Sequence, residues 1–283
     1  MIKKRVIFIG GLTNGMIVYK YLVTNPDIDL ILTITYKDNS PKPRNVNFPN
    51  DTNIIKSGSI KNHKNIIKNL KPDIIFVTGW SELISDDILS IPEMGVIGFH
   101  PSKLPYDKGR SVVAWQILEG YKESALTMFY YNNIPDGGDI IAQEKIKISK
   151  NDYVNDVLQK IDIATESLIK KNFPLIIKGK NHRIKQDPNE GNFRRLRKDN
   201  DSQIDWNTNS IDIYNLIRAI SYPYPCAVGR IDKKDYKIIK AEIFDFTSEL
   251  EFKAGDIVEL MSDTSIIIKT KDSYIRLLEY ERK

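Results

Sequence analysis

Residues 95–110 read GVIGFHPSKLPYDKGR, and residues 135–141 answer with PDGGDII. The first stretch opens on Gly95-Val96-Ile97, reads as a strand and breaks at Gly98. It then presents Phe99-His100-Pro101-Ser102 before a helix near Arg110. One of the three histidines of the chain therefore falls where a buried strand runs out into a loop. In α/β sheets the carboxyl ends of strands collect ligands and reacting groups, because loops there vary over a rigid frame. The second stretch sets Asp136 ahead of two glycines, a tight turn from which a carboxylate can reach that imidazole. A histidine held by an aspartate manages protons near neutral pH.

The flanks extend this into a fold. Residues 6–9 form an apolar run ending in Gly10-Gly11, followed by helical spacing through Met16, Tyr19 and Val23. GGLTNG is not the G-x-G-x-x-G fingerprint and no ribose-binding acid follows the next strand, so a nicotinamide cofactor is set aside in favour of a tight turn beside a cleft. Strands are expected at 29–36, 74–78, 124–131 and 139–148, and helices at 60–70, from 85, at 110–119 and at 153–177. Residues 37–53 read as an irregular loop. The alternation predicts an α/β, doubly wound, Rossmann-like domain with a parallel sheet. Beyond 181 the chain turns polar, carries a basic cluster at 194–198, and passes a helix at 211–220. That cluster reads either as a solvated linker face or as a phosphate contact. Short β-rich runs over 227–282 suggest a small barrel-like module. The expected domains are 1–200 and 201–283.

Composition narrows the class. With 283 residues, 41% of them hydrophobic, the chain can bury a sizeable core. No run approaches the roughly 18 apolar residues of a membrane span, and the apolar start is too short for a signal peptide. The single cysteine, Cys226, forbids an intrachain disulfide and points to a reducing, cytoplasmic compartment. A net charge of +5 without a long basic block suits a phosphorylated ligand but carries no nucleic-acid signature. His63, His100 and His182 lack ligand spacing and carboxylate company, so no metal set is visible. The sequence does not fix the oligomeric state, and a homodimer is compatible with it.

Gly98-Phe99-His100-Pro101-Ser102-Lys103-Leu104-Pro105, followed by Asp136-Gly137-Gly138-Asp139-Ile140, resembles the folate-dependent formyltransferases. Their pattern is Asn-x-His-x-Ser-x-Leu-Pro and then Asp-x-Gly-x-Ile; here Gly98 stands where the Asn belongs. Ile204-Asp205-Trp206 and the passage from Ile217 to Ala227 resemble the start of the C-terminal module in the longer members, with Cys226 in place of a Gly. The resemblance implies N10-formyltetrahydrofolate as formyl donor and His100 and Asp136 as the catalytic pair. It assigns the segment 77–83, with Gly79, Trp80, Ser81 and Leu83, to the folate pocket. The bland alternative for Trp80 is that it covers the sheet end.

Among the family's acceptors, the two-domain layout fits methionyl-tRNA and nucleotide-sugar enzymes. The modest charge favours a nucleotide-linked amino sugar, whose diphosphate Lys103, Lys108 or Arg110 could meet. The alternatives are a methionyl-tRNA formyltransferase and a non-catalytic folate-binding relative, the latter because Gly98 removes an oxyanion donor. If the chain is active, an ordered water or Asn132 or Asn133 is expected to replace that donor.

Overall fold

The computed structural model describes residues 3–247 and 249–283. Met1 and Ile2, at the head of the apolar start, and Ser248, within the β-rich stretch, lie outside the described residues. Two compact units form. One comprises Met1–Gly109, Ser124–Ile146 and Gln159–Arg194; the other comprises Arg110–Glu123, Lys147–Leu158 and Arg195–Lys283. These units interleave along the chain.

In the first unit the strands are β1 (Lys4–Gly10), β2 (Ile28–Thr35), β3 (Ile54–Lys56), β4 (Ile74–Thr78), β5 (Val96–His100), β6 (Lys108–Gly109), β7 (Glu123–Tyr130), β8 (Ile140–Lys147) and β9 (Phe193–Arg194). Seven make one sheet in the order β3-β2-β1-β4-β5-β7-β8, while β6 and β9 pair parallel with each other. The first five sheet strands are parallel, and β7 runs antiparallel to β5. Val6 to Ile9 and Ile74 to Val77 are buried on both faces, as unbroken apolar runs in a parallel sheet should be. Helix α1 (Leu12–Val23) buries Gly15, Val18, Tyr19 and Leu22. Met16 and Val23, named from the spacing, lie off that stripe.

Strand order turns from β2 on one side of β1 to β4 on the other. In open α/β sheets such a reversal is where ligand crevices form, and here it falls at the carboxyl ends of β1 and β4. Glycines let the backbones meet closely at that point: a Cβ on Gly10 would sit 2.2 Å from Thr78 O, and one on Gly79, whose φ is +65°, would sit 2.1 Å from Gly11 O. Helices α2 (Lys64–Leu70) and α3 (Asp86–Leu89) flank the sheet, and Ile67 and Ile88 join the core against Ile75 and Val77.

The second unit holds α4 (Val112–Leu118), the start of α5 (Val154–Ile176), α6 (Ser210–Ile220) and a five-stranded antiparallel sheet. Its strands are β10 (Ala227–Ile231), β11 (Lys234–Phe244), β12 (Ile257–Leu260), β13 (Ile266–Lys269) and β14 (Tyr274–Arg282), in the order β10-β11-β14-β13-β12. The edge strands β10 and β12 do not pair, so the module is an open sheet and not a closed barrel. On α6, Arg218 is 3% exposed; its guanidinium donates to Asn215 Oδ1 and to the carbonyl of Asp152, and burial pushes its pKa below the ordinary arginine value. Cys226, where the resemblance expects glycine, takes φ +72°, in the left-handed region that glycine occupies at no steric cost.

Candidate functional site

The break expected at Gly98 does not occur. Strand β5 continues through it to His100, because β7 pairs with it residue for residue: Gly98 with Phe129 and His100 with Thr127. Directly opposed residues share a sheet face. Gly98, His100, Thr127 and Phe129 therefore point the same way, and so does Tyr131, two residues beyond Phe129.

His100 is 6% exposed and both ring nitrogens face protein. Its Nε2 lies 2.8 Å from the carbonyl oxygen of Asp107. A carbonyl only accepts, so Nε2 carries a hydrogen, and Nδ1 is the nitrogen left to exchange a proton. Nδ1 sits 3.5 Å from Asp136 Oδ1, the outer limit of a hydrogen bond. The other carboxylate oxygen, Oδ2, accepts from the Gly109 backbone N–H at 2.8 Å. Asp136 takes φ +55°, and Gln186 Nε2 pins its turn by donating to the carbonyls of Asp136 and Gly138.

The rest of the motif builds the frame around this pair. Ser102 is fully buried and its hydroxyl donates to the Tyr106 carbonyl. Thr127 Oγ1 donates to Ser102 O at 2.6 Å and accepts from Leu104 N and Gln143 Nε2. Leu104 packs with Phe129 and Ile140. Asp107, also buried, receives Arg194 Nε at 2.6 Å and Asn192 Nδ2 at 3.1 Å. Its N–H donates to Asn192 Oδ1. The loop that offers Asp107 O to the imidazole and Gly109 N–H to Asp136 is thus clamped by residues 85 and 87 positions downstream. Asn192, Thr127, Gln143 and Gln186 had no signal in the sequence, and Arg194 read only as part of the basic cluster, since nothing local marks a partner so far along the chain.

The space over Gly98 is filled by Tyr131. A Cβ built on Gly98 would lie 2.1 Å from Tyr131 Cε1, 2.7 Å from Cζ and 2.8 Å from the phenol oxygen. The ring stacks on Phe129 with centroids 5.0 Å apart. Burial, and then the charge of Asp136, push this phenol well above its ordinary range, so it is a neutral O–H at physiological pH. Asn132 and Asn133 are exposed, and Asn132 Oδ1 accepts from the N–H of Ile134.

At the end of β4, Trp80 stacks on Tyr36 with centroids 4.4 Å apart and an interplanar angle of 11°. Ser81 N–H donates to the Tyr36 hydroxyl, and Lys42 Nζ donates to Ser81 Oγ. Leu83 is 73% exposed. Trp80 Nε1 and Thr78 Oγ1 are buried and have no hydrogen-bond partner among the described residues. Unpaired donors of this kind suit a ligand bearing acceptors, which is what a pteridine ring presents.

Of the three cations named from the sequence, Lys103 and Arg110 are exposed, and Arg110 begins the second unit. Lys108 is 4% exposed, with its ammonium 5.6 Å from the Phe193 ring centroid. The basic cluster proves to be internally engaged: Arg194 pairs with Asp107, Arg195 forks onto both oxygens of Asp201, and Arg195 and Arg197 both cover the Trp115 ring. Among the described residues no group of three or more His, Cys, Asp or Glu could hold a metal ion, and no helix is long and apolar enough to cross a membrane.

Known proteins resemble the chain along its whole length. The methionyl-tRNA formyltransferase of Staphylococcus aureus strain MW2 is 31% identical over 204 residues, which cover 72% of this chain and 64% of that protein. WlaRD, a sugar 3N-formyltransferase solved with dTDP and 5-N-formyl-THF, superposes with a TM-score of 0.72 at 21% identity, covering 99% of this chain and 98% of its own. The N-formyltransferase of Helicobacter canadensis, solved with folinic acid and dTDP-3-aminofucose, gives 0.71 at 21% identity, with all of both chains covered. The formyl transferase family model matches residues 21–171, more than half the chain, and the model of its C-terminal domain matches 197–283. The chain belongs to the formyl transferase family.

Proposed function

We propose that the chain transfers a formyl group from N10-formyltetrahydrofolate to the amine of a nucleotide-linked amino sugar. The observation that carries this reading is the His100–Asp136 pair at the end of β5, with one imidazole nitrogen committed and the other facing a carboxylate. The folate supplies an activated one-carbon acyl group. Asp136 Oδ1 and His100 Nδ1 hold between them a proton position that takes hydrogen from the attacking amine and returns it to the departing nitrogen. The Asp107 carbonyl keeps the ring from turning while this happens. Gly79, Trp80, Ser81 and Leu83 would hold the folate, with Trp80 Nε1–H and Thr78 Oγ1 as unspent polar groups at that end. Lys103, Lys108 and Arg110 remain candidates for the acceptor's diphosphate.

End-to-end likeness to two sugar N-formyltransferases supports the amino-sugar acceptor. The 31% identity to the Staphylococcus aureus enzyme favours methionyl-tRNA as the second reading. Incubation with N10-formyltetrahydrofolate and either dTDP-linked 3- and 4-amino sugars or initiator methionyl-tRNA, followed by mass spectrometry, separates the two. Formylated sugar is the expected product. Formylated tRNA at physiological salt without sugar product would reverse the order, and transfer to neither would leave a non-catalytic folate binder.

A further inference from the structure

Addition of an amine to a formyl carbon drives the carbonyl electron pair onto oxygen, and that oxygen needs a hydrogen-bond donor aimed at it. The groups already placed do not supply one. His100 Nε2–H is spent on Asp107 O, and Nδ1 faces Asp136. Ser102 and Thr127 hydroxyls donate to backbone carbonyls, and the Gly109 N–H is held by Asp136. Residue 98, one step along the same face from His100, has no side chain.

The group that occupies that position is a phenol. Its oxygen lies 2.8 Å from where a Cβ of residue 98 would be. A carboxamide nitrogen sits about 2.5 Å from its own Cβ by ordinary bond lengths, so the phenol oxygen stands at nearly the reach of an asparagine amide from that position. The register explains how it gets there. Tyr131 N–H bonds to Val96 O, which sets residue 131 opposite residue 96 and lets its ring lean over Gly98. Only a glycine admits the ring, since any Cβ would overlap Cε1 at 2.1 Å. Phe129 backs the ring from behind. Burial, and then the Asp136 charge, keep the phenol protonated, so its hydroxyl has a hydrogen to give.

We infer that Tyr131 is a catalytic residue of this site, its hydroxyl donating to the oxyanion in place of a side chain at residue 98. The inference rests on the proposed formyl transfer. In the step, the amine nitrogen bonds the formyl carbon and the carbonyl pair moves to oxygen, where Tyr131 O–H donates a hydrogen bond without giving up its proton. The ammonium so formed loses a proton to the His100–Asp136 pair. When the carbonyl re-forms, the bond to the folate nitrogen breaks and that nitrogen leaves with the pair's proton.

The test compares wild type, Tyr131→Phe and the swap Gly98→Asn with Tyr131→Ala, measuring kcat and KM for N10-formyltetrahydrofolate and, separately, binding of the stable 5-formyl analogue. Tyr131→Phe keeps the ring and its packing. It should lower kcat by about 10²- to 10³-fold with analogue binding within about threefold of wild type, and the swap should regain at least about tenfold over Tyr131→Phe. Active wild type with Tyr131→Phe within about threefold of its kcat overturns the role of Tyr131 while leaving formyl transfer standing. Wild type that binds the analogue but transfers to no amine overturns both.

Discussion

Replacing Arg194 by alanine tests whether the site depends on its distant clamp. Arg194 Nε donates to Asp107 Oδ1 at 2.6 Å, and Asp107 is 3% exposed. Without the guanidinium a buried carboxylate keeps the Asn192 amide at 3.1 Å as a neutral donor. Breaking a buried ion pair from one side costs about 3–5 kcal/mol. Because Asn192 stays and the Arg194 side chain is 18% exposed, the lower end applies, about 3 kcal/mol. At about 2–4 °C per kcal/mol, Tm should fall by about 6–12 °C. The same loop presents Asp107 O to His100 and Gly109 N–H to Asp136, so its loosening displaces both members of the pair. A displacement of about 1 Å in a reacting group costs about a hundredfold in rate. Differential scanning fluorimetry and steady-state kinetics at a temperature where the variant is folded measure the two effects. Adding Asp107→Asn removes the buried charge and should restore part of the lost Tm. A Tm change below about 2 °C with unchanged kcat would refute the clamp, and a double variant melting below the single would refute the electrostatic account.

Other expectations follow from the same geometry. His100→Asn and Asp136→Asn should each lower turnover by about a hundredfold or more with a native far-ultraviolet spectrum; wild-type rates in either folded variant would remove the pair from the chemistry. Gly98→Ala forces the Tyr131 ring back by about 1.3 Å to reach ordinary contact at 3.4 Å, an overpacking cost of about 1–3 kcal/mol read by thermal melting; an unshifted melt would mean the ring has room to spare. In the second unit, Asp272 is held below the usual carboxylate range by the Ser210 N–H, and Asp263 by Ser265. Their folded pKa values lie below the unfolded ones, so the stability they lend is present above about pH 4 and is lost as pH falls through the folded values. Acid unfolding followed by tryptophan fluorescence should therefore start earlier in Asp272→Asn.

The sheet was legible because its strands are long apolar runs, and those at β1, β2, β4, β7 and β8 fall where hydrophobic continuity placed them. Strand β3 escaped because Ile54–Lys56 is a three-residue edge following an Asn- and Asp-rich loop. Gly98 looked like a break because glycine weakens a strand on its own, whereas here Phe129 and Tyr131 across the ladder hold it in line. Local motifs made His100 and Asp136 visible together. Tyr131 read as the last residue of an alternating strand, and only the register with β5 turns it over Gly98. The arginines of 194–198 looked like surface charge because their partners, Asp107 and Trp115, lie some 80 residues or more earlier in the chain.

The pairing of β6 with β9 sets an order on the making of this protein. His100, Asp136 and the motif around them are complete in the first half of the sequence, yet the carbonyl that orients the imidazole is fixed only once Asn192 and Arg194 return to residues 107–109. Contacts of such long sequence separation form late, after the loop entropy between them has been overcome. During synthesis the motif therefore leaves the ribosome well before it has a defined geometry. A nascent chain stopped short of residue 194 would carry His100 and Asp136 without the strand that fixes the loop between them.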